Sequence, residues 1–407
     1  MEYKELRIVQ YENYQEVDKE YERRISSYGT YVTKLYPYIL RHRKTVKSDL
    51  PLFVVSTIEI QNMMQEIIQN SQKIEVLASE IPQVAHQQYY LEQLSKAVIS
   101  TNEIEGVHTT RKEVADAMEA IDNKRKENVR LRSTVKMYMD IMNEDKIAIE
   151  DLRSVRKVYD GLTKGEITTK DLPDGRIFRN KPVIVGKNHV PPESELEIFD
   201  QLNDWIDFIN NETVPFLIKS AVGHFFFENT HPFFDGNGRT GRYIFSRYLS
   251  KKLDKFSGLI ISQKINESRK KYFQAFEIAE FHTNRADATF FVKSMLEFIR
   301  DGQVEIMSDL STSKQFLDRI EEILDGMDIP NIEKSILHLL HQSFAFTDDV
   351  KEGITDNVII DILHKNGSTK TKVRATLKSL EERGEIKTVT QKPKRHQLTH
   401  PLVELIK

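Results

Sequence analysis

The sequence predicts a mainly α-helical protein with one small β-hairpin among its helices and a winged helix-turn-helix at its C-terminal end. Apolar residues recur at helical spacing through most of the chain, whereas β-branched runs are short and few. After residue 325, three amphipathic helices are followed by two short strands around a basic turn. This order is typical of a winged helix-turn-helix.

Length and composition restrict the class of protein. A chain of 407 residues is long enough for two or three domains, and 39% hydrophobic with 30% charged residues is ordinary for a globular protein. A net charge of −3 excludes a polycation that coats nucleic acid or acidic membranes. The absence of cysteine excludes disulfides and thiolate metal sites. No signal-peptide pattern or apolar run of membrane-spanning length occurs, so we expect a cytoplasmic protein without a membrane contact.

The first 125 residues are expected to form an N-terminal helical extension. A short mixed segment, LRIVQY, precedes a helix that begins near Val17. Two or three further helices are expected before Gly106. Thr109 or Thr110 is a suitable N-cap for the following helix, RKEVADAMEAI.

The central domain is expected to span residues 126–310. Its pattern is helical from 133 to 159, and a β-branched run between prolines then predicts a hairpin over 176–192. Ser194 is a suitable cap for the next helix. Pro215 begins an apolar helix that ends near Thr230, and two further helices are predicted at about 266–281 and 287–302.

The C-terminal domain, 325–407, contains the three helices and the two-stranded wing. Ser368 or Thr369 is expected to cap the third helix, which ends at Gly384. Residues 365–395 contain ten Lys or Arg and three acidic residues, a net charge of +7. This basic segment is compatible with a DNA contact, and it is equally typical of a solvated surface on a domain used for protein contacts or spacing.

The stretch HPFFDGNGRTGR, residues 231–242, predicts a binding site for more than one phosphate. Gly236, Asn237 and Gly238 allow the backbone to turn its N–H groups toward one point at the start of a helix. Arg239 and Arg242 lie three residues apart and so share one helix face. The stretch is not a Walker A loop, because no Gly-Lys-Ser/Thr follows.

Two further side chains of this stretch indicate a reaction at the phosphate site. Asp235 either balances the arginine charges or serves as one ligand of Mg²⁺, which takes one or two carboxylates together with phosphates and water. His231 precedes the anion site and can be neutral at pH 7, so it can accept a proton from an incoming hydroxyl.

This stretch matches every fixed position of the signature HPFx(D/E)GNGRxxR and resembles the Fic (Fido) family. The resemblance implies a Fic helical core that transfers AMP from ATP, with Mg²⁺, to a Tyr, Ser or Thr hydroxyl of a protein. It makes His231 the general base and Asp235 the metal ligand, and it places Phe233 under the loop. It implies nucleotide contacts from Gly236, Asn237, Gly238, Arg239, Thr240, Gly241 and Arg242, the last of these meeting the γ-phosphate.

Residues 100–106 match a second pattern of the same family. Taken alone, the segment is a helix C-terminus that stops at a glycine. Thr101, Glu105 and Gly106 also fit the pattern [S/T]xxxE[G/N], which resembles the inhibitory element of many Fic proteins. An ion pair between Glu105 and Arg242 would place a negative charge where the γ-phosphate should lie. We therefore expect an autoinhibited enzyme.

The family resemblance also assigns the hairpin and a nucleobase site. The 176–192 hairpin resembles a flap whose edge binds the target protein through Arg179, Val183, Ile184 and Val185, with a purely structural hairpin as the alternative. Ser262 and Gln263, with Tyr272 and Phe273, lie where the family encloses adenine. Of these, Gln263 and Tyr272 are the predicted contacts, although such residues are more often part of the core.

Three other functions remain open from the sequence. A metal-dependent hydrolase built on His224, His231 and Asp235 would leave the Gly-Asn-Gly-Arg segment without a role. A DNA-binding regulator with an inert Fic core is argued against by the complete motif. Within the family, transfer of another group or removal of AMP is the nearest alternative. The target protein, which includes the chain itself as a candidate, and the oligomeric state are not predicted.

Overall fold

The computed structural model describes residues 3–42, 44–122, 129–142, 148–186, 189–210, 213–346, 353–400 and 402. It divides the chain into two compact units. One unit consists of Met1–Gln72 and Leu94–Val304, and the other of Lys73–Gln93 and Glu305–Lys407. Among the described residues, no helix is both long enough and apolar enough to cross a membrane.

The chain begins with two short helices and four short strands. Their bounds are α1 (Leu6–Glu12), α2 (Val17–Ile25), β1 (Thr30–Val32), β2 (Tyr38–Arg41), β3 (Lys44–Lys47) and β4 (Phe53–Val55). β1 pairs with β4, and β2 with β3, both antiparallel. The four strands between residues 30 and 55 were not predicted, because strands of three or four residues are too short to show an alternating pattern. LRIVQY is helical.

Five helices follow in the N-terminal half of the chain. They are α3 (Ile58–Glu80), α4 (Gln83–Ile104), α5 (Arg111–Asp122), α6 (Arg132–Met142) and α7 (Leu152–Thr163). At the start of α5, the Thr110 hydroxyl accepts a hydrogen bond from the Glu113 amide, and the Glu113 carboxylate accepts one from the Thr110 amide. This reciprocal capping confirms Thr110 as the start signal of the helix.

The body of the first unit is built from α8 (Glu195–Ile209), α9 (Phe216–Thr230), α10 (Asn237–Lys252), α11 (Lys255–Glu267) and α12 (Arg269–Glu280). Ser194 caps α8, as predicted, through a full capping box with Glu197. Nearly every residue of α9 is buried, which explains its apolar sequence. The indole N–H of Trp205 donates to the Gly223 carbonyl and joins α8 to α9. This apolar centre supports the turn between α9 and α10.

The helix predicted at 287–302 is much longer than expected. α13 extends over Thr289–Gly326, so the gap left between the two predicted domains is helical. Buried Ile306, Leu310 and Leu317 continue the helical spacing beyond residue 302. The domain boundaries at 125, 310 and 325 stay predictions.

The segment 176–192 is irregular, and the predicted two-stranded hairpin was wrong for the residues described. A single bridge joins Val185 and His189, with hydrogen bonds of 2.8 and 3.2 Å, and residues 187 and 188 lie outside the described part. Its base is held by the Glu195 carboxylate, which accepts hydrogen bonds from three successive backbone amides, 176–178. Side-chain bonds thus replace a strand ladder here.

The second unit contains the predicted helices and strands of the C-terminal segment. They are α14 (Asn331–Phe344), β5 (Ile354–Thr355), α15 (Asp356–Lys365), α16 (Lys370–Glu382), β6 (Ile386–Gln391) and β7 (Lys394–Leu398). The three strands form one antiparallel sheet in the order β5-β7-β6. Thr369 caps α16, and Gly384 beyond its end has a φ of 75°. The two-residue strand β5 was not predicted.

Candidate active site

The turn between α9 and α10 has two residues with positive φ. His231 ends α9 with a φ of 48°, and its amide donates to the Phe227 carbonyl at 3.0 Å. Gly236 precedes α10 with a φ of 83°. A Cβ at Gly236 would lie 2.9 Å from Thr163 and 3.2 Å from Tyr159 of α7, so this position requires glycine for conformation and for space.

The side chain of Asn237 holds the turn from within. Its Oδ1 accepts from the Phe233 amide at 2.9 Å, and its Nδ2 donates to the Phe233 carbonyl at 2.8 Å. The Phe233 ring is buried and stacks on Tyr159 with centroids 3.7 Å apart. Phe233 therefore lies where it was predicted, beneath the loop. The Gly236 amide donates to Asp235 Oδ1 at 2.6 Å. Among the described residues, no N-cap side chain bonds to the first turn of α10, which favours an anion at this helix start.

Arg242 is fully buried and is held by the end of α4. Its Nε donates to the Thr101 hydroxyl at 3.0 Å, and its Nη2 donates to the Thr101 carbonyl at 2.9 Å and to Glu105 Oε1 at 2.7 Å. α4 ends at this point, and Gly106 follows with a φ of 75°. The helix-stop interpretation and the pairing with Arg242 are therefore both compatible with the geometry.

The Glu105 carboxylate lies directly against the start of α10. A Cβ added to Gly238 would overlap Glu105 Oε1 and come within 2.6 Å of Arg242 Nη1. Glycine at 238 thus allows a carboxylate to approach the first turn of the helix, where an anion is favoured. Burial alone would raise the pKa of Glu105, but Arg242 lowers it below the ordinary value. The pair is therefore ionised at neutral pH.

Arg239 lies between two carboxylates. Its Nη1 donates to Glu166 Oε2 at 3.0 Å, and its Nη2 is 3.5 Å from Asp235 Oδ2. The side chain of Glu166 is 8% exposed, whereas that of Asp235 is 48% exposed. Asp235 is thus the carboxylate that solvent and a metal ion can reach. Glu166 was not predicted, because no motif connects it with residues 231–242.

The environment of His231 favours its neutral form. Removal of the ring from water lowers its pKa well below the ordinary value, and the nearby Arg179 and His189 lower it further. The Nδ1 atom is buried and has no hydrogen-bond partner in the described part of the chain. A neutral imidazole at pH 7 can accept a proton.

Arg179 does not have the exposure that target binding requires. Its side chain is fully buried, and its Nε and Nη2 donate to the backbone carbonyls of His231 at 2.8 Å and Thr230 at 3.5 Å. The prediction of Arg179 on a target-binding edge was therefore wrong, because the guanidinium is used to hold the turn. Ile184 is 72% exposed, which leaves it available for such a contact, and Val183 and Val185 are half-buried.

Two predicted nucleotide contacts face away from the phosphate site. The Thr240 hydroxyl donates to the Gly236 carbonyl at 2.8 Å within its own helix. A Cβ on Gly241 would overlap the Glu228 carboxyl group of α9, so Gly241 serves helix packing. Glu228 was also not predicted, and burial raises its pKa to about 8. It is therefore largely uncharged beside Arg242.

The predicted adenine contacts differ in their surroundings. Tyr272 is buried, and its hydroxyl lies 2.8 Å from His224 Nε2, so its ring is part of the core rather than a face for a base. Gln263, on α11, donates to Glu267 at 2.9 Å and is half-buried. A nucleobase contact from Gln263 stays a prediction.

His224 is a packed residue. It is 3% exposed, stacks on Phe245 with centroids 5.1 Å apart, and burial lowers its pKa to about 3. Within the described ranges, no group of three His, Cys, Asp or Glu side chains is arranged to hold a metal ion. The hydrolase alternative based on His224, His231 and Asp235 is not supported by this packing.

Comparison with known proteins agrees with this geometry. Residues 149–249 match the Fic/DOC family. Protein adenylyltransferase fic-1 of Caenorhabditis elegans is 28% identical over 138 residues, which are 33% of this chain and 24% of that protein. Protein adenylyltransferase Fic of Drosophila willistoni is 30% identical over 153 residues, 34% of this chain and 28% of that protein. The chain thus spans about a quarter of the length of these curated relatives.

A solved structure is similar over most of the chain. A Fic family protein from Desulfovibrio desulfuricans G20 superposes with a TM-score of 0.51 at 20% identity, covering 84% of this chain and 96% of that one. This similarity supports the helical fold. The family match itself is confined to residues 149–249, which contain the turn at 231–242 and are similar to the Fic/DOC domain.

Proposed function

We propose that this protein transfers AMP from ATP to a Tyr, Ser or Thr hydroxyl of a protein. The observation that carries the proposal is the turn 231–242, which combines a neutral histidine, an exposed carboxylate and an uncapped helix start with two arginines. The turn lies in the part of the chain that matches the Fic/DOC family, and two relatives of this chain are named protein adenylyltransferase.

In the proposed reaction, the target hydroxyl oxygen attacks the α-phosphorus of ATP. The new bond joins that oxygen to the α-phosphorus, the bond to the oxygen bridging the β-phosphorus breaks, and pyrophosphate leaves. His231 accepts the hydroxyl proton on an imidazole nitrogen. The bonds from Arg179 to the carbonyls of Thr230 and His231 keep the histidine backbone in its left-handed conformation during this step.

The arginines and the start of α10 would hold the phosphates. Arg239 and the amides of Gly236–Gly238 fit the α- and β-phosphates, and Arg242 fits the γ-phosphate. Asp235 fits one carboxylate ligand of Mg²⁺, because its side chain is exposed and the other ligands of this ion are usually phosphate oxygens and water. When bound, Mg²⁺ neutralises negative charge on the phosphates.

We further propose that Glu105 inhibits the enzyme in the state described. The carboxylate occupies the start of α10 and neutralises Arg242, so a γ-phosphate would meet a negative charge instead of a free guanidinium. Removal of the Glu105 side chain would free both the start of α10 and the Arg242 guanidinium. The repulsion between a carboxylate and a phosphate in a site of low dielectric is the physical basis of this inhibition.

The test is the variant Glu105→Gly incubated with Mg²⁺ and α-³²P-labelled ATP. We expect label on the chain itself or on an added protein, and mass spectrometry should find an AMP group on a hydroxyl side chain. Glu103→Gly is the matched control, since Glu103 lies on the same helix but pairs with Asn266 and Arg269. This control should stay as inactive as the wild-type protein.

A second control separates catalysis from binding. His231→Ala in the Glu105→Gly background should bind ATP but transfer no label. Equal labelling of the wild-type and Glu105→Gly proteins would contradict inhibition by Glu105. Transfer of a different group, or loss of AMP from a modified protein, would replace adenylyl transfer by another reaction of the same site.

For the second unit we propose binding to duplex DNA. α15 and α16 are joined by a four-residue turn, as in a helix-turn-helix, and α16 buries Val373 and Leu377. Lys370, Arg374 and Lys378 follow at intervals of four residues on its exposed surface. A basic stripe on the second helix of this motif matches the phosphates beside a major groove.

Fluorescence anisotropy of the full chain with random duplex DNA tests this proposal. Affinity should fall steeply with salt, and Arg374→Ala with Lys378→Ala should weaken binding and reduce the slope of log K against log salt by about two. The matched control is Lys251→Ala with Lys252→Ala, two exposed lysines at the end of α10. Binding that is independent of salt, or equal in both double variants, would contradict a DNA contact at α16.

A further inference from the structure

We infer that Glu166 is a positioning residue that orients Arg239 for nucleotide phosphates, an inference that rests on the proposed function. Glu166 follows α7 and lies far in sequence from the 231–242 turn. Its Oε2 accepts from Arg239 Nη1 at 3.0 Å, and both side chains are withdrawn from solvent. A buried carboxylate that contacts a phosphate-binding arginine can act in two opposite ways. It can orient the arginine for the phosphate, or it can inhibit phosphate binding.

The position of Glu166 favours the orienting role. Glu166 and Asp235 contact different nitrogens of the guanidinium, Nη1 and Nη2, and only Asp235 is open to solvent. A ligand that arrives from solvent meets Arg239 on the Asp235 side. Glu166 therefore does not occupy the path of the phosphate, in contrast to Glu105, which lies against Gly238 at the helix start.

Glu166 is itself held by its neighbours. The Thr134 hydroxyl, from α6, lies 3.2 Å from Glu166 Oε1 and 2.7 Å from the Leu162 carbonyl. The Glu166 amide donates to the Thr163 carbonyl at 2.9 Å. Tyr159 and Thr163 of α7 also lie against Gly236, so the helix that precedes Glu166 contacts the phosphate turn. A side chain fixed in this way can fix the arginine in turn.

An arginine with one nitrogen fixed loses less freedom when it binds phosphate. Its guanidinium is planar, so holding Nη1 also sets the direction of Nη2. Without Glu166, Arg239 would have to be ordered by the nucleotide itself, and affinity would fall. An inhibitory role predicts the reverse change in affinity, because removal of a negative charge near a phosphate site should tighten ATP binding.

The test is equilibrium binding of ATP and of adenosine to the Glu105→Gly protein, with and without the further substitution Glu166→Ala. This comparison distinguishes the orienting role from the inhibitory role without measuring catalysis. We expect ATP affinity to fall on the order of tenfold, the scale of one hydrogen bond to a charged group. Adenosine affinity should not change, because adenosine has no phosphate for Arg239 to bind. The matched control is Glu322→Ala, which removes an exposed Glu–Arg pair with Arg319 on the surface.

Two further variants keep the test decisive if Glu166→Ala folds poorly. Glu166→Gln retains a hydrogen-bond acceptor and should lose less ATP affinity. Thr134→Val removes the hydroxyl beside Glu166 and should lower ATP affinity in the same selective way. Tighter ATP binding, or an equal loss for ATP and adenosine, would overturn the inference. If the Glu105→Gly protein itself does not bind ATP, the proposed function fails instead.

Discussion

Individual arginines in this site differ in the carboxylate that each one contacts. Arg242 contacts Glu105, whose side chain is 26% exposed. Arg239 contacts the buried Glu166 and the exposed Asp235. Burial would lower the pKa of Arg242, but Glu105 raises it above the ordinary value. Arg242 thus stays charged inside the protein. The carboxylate partners of the two arginines decide which charge is available to a ligand.

The low pKa of His231 predicts an unusual pH dependence. The neutral form of His231 is the base. Because the pKa of His231 lies well below the ordinary value, nearly all molecules contain this neutral form from about pH 6 to 8. Labelling by the Glu105→Gly protein should therefore not decline between pH 8 and 6. Activity should fall only in more acidic solution, as His231 gains a proton. A decline centred near pH 6.5 would contradict this environment.

At the scale of elements, the site depends on helix ends. α9 ends in the left-handed His231, α10 begins at Gly236 without a cap, and α4 ends beside Arg242. α8 begins with a capping box, and its Glu195 holds the base of the 176–192 segment. A helix end exposes unpaired backbone groups and a partial charge, which makes it a suitable place for an anion or a carboxylate.

The capping box of α8 predicts a measurable loss of stability. Ser194→Ala removes the acceptor for the Glu197 amide and should cost about 1 kcal/mol of unfolding free energy. Urea denaturation followed by circular dichroism measures this change. Ser26→Ala is the control, because Ser26 is exposed and its hydroxyl only donates to the Glu22 carbonyl at the end of α2. Equal effects of the two substitutions would contradict a specific contribution of the cap.

At the scale of the whole molecule, the two units carry different surfaces. The first contains the phosphate turn, Glu105 and the segment 176–192, and the second contains the basic stripe of α16. Since the overall charge is only −3, this separation is not visible in the total composition. Each unit has its own apolar core, and each proposed activity is assigned to one unit.

Removal of the Glu105 side chain should destabilise the protein in the absence of ligand, and it should allow Mg²⁺ and ATP to stabilise the variant. Glu105→Gly leaves buried Arg242 without its carboxylate partner and should destabilise the protein by about 1–3 kcal/mol. Mg²⁺ and ATP should then raise its melting temperature, because a ligand that binds only the folded state stabilises it. Differential scanning fluorimetry measures both shifts. The wild-type and Glu103→Gly proteins should shift little with ATP, and a similar shift in all three would contradict a blocked site.

The sequence by itself determined the chemistry of the turn, because residues 231–242 are contiguous and each residue type has a local purpose. It also predicted most helices and the caps at Thr110, Ser194 and Thr369, since these signals act within one helix turn. Glu105 was indicated by a short pattern, through resemblance. The strands between 30 and 55 and the end of α13 were not predicted, because pairing and packing across the chain decide them.

Only the tertiary structure decided which distant side chains meet the turn. It places Glu166 on Arg239, Arg179 on the carbonyls of Thr230 and His231, and Glu228 against Gly241. No local pattern predicts these contacts, because each joins residues from separate elements whose meeting depends on how the helices pack around a common core. Local sequence thus determined what the phosphate turn can bind, and packing determined which carboxylate holds each arginine.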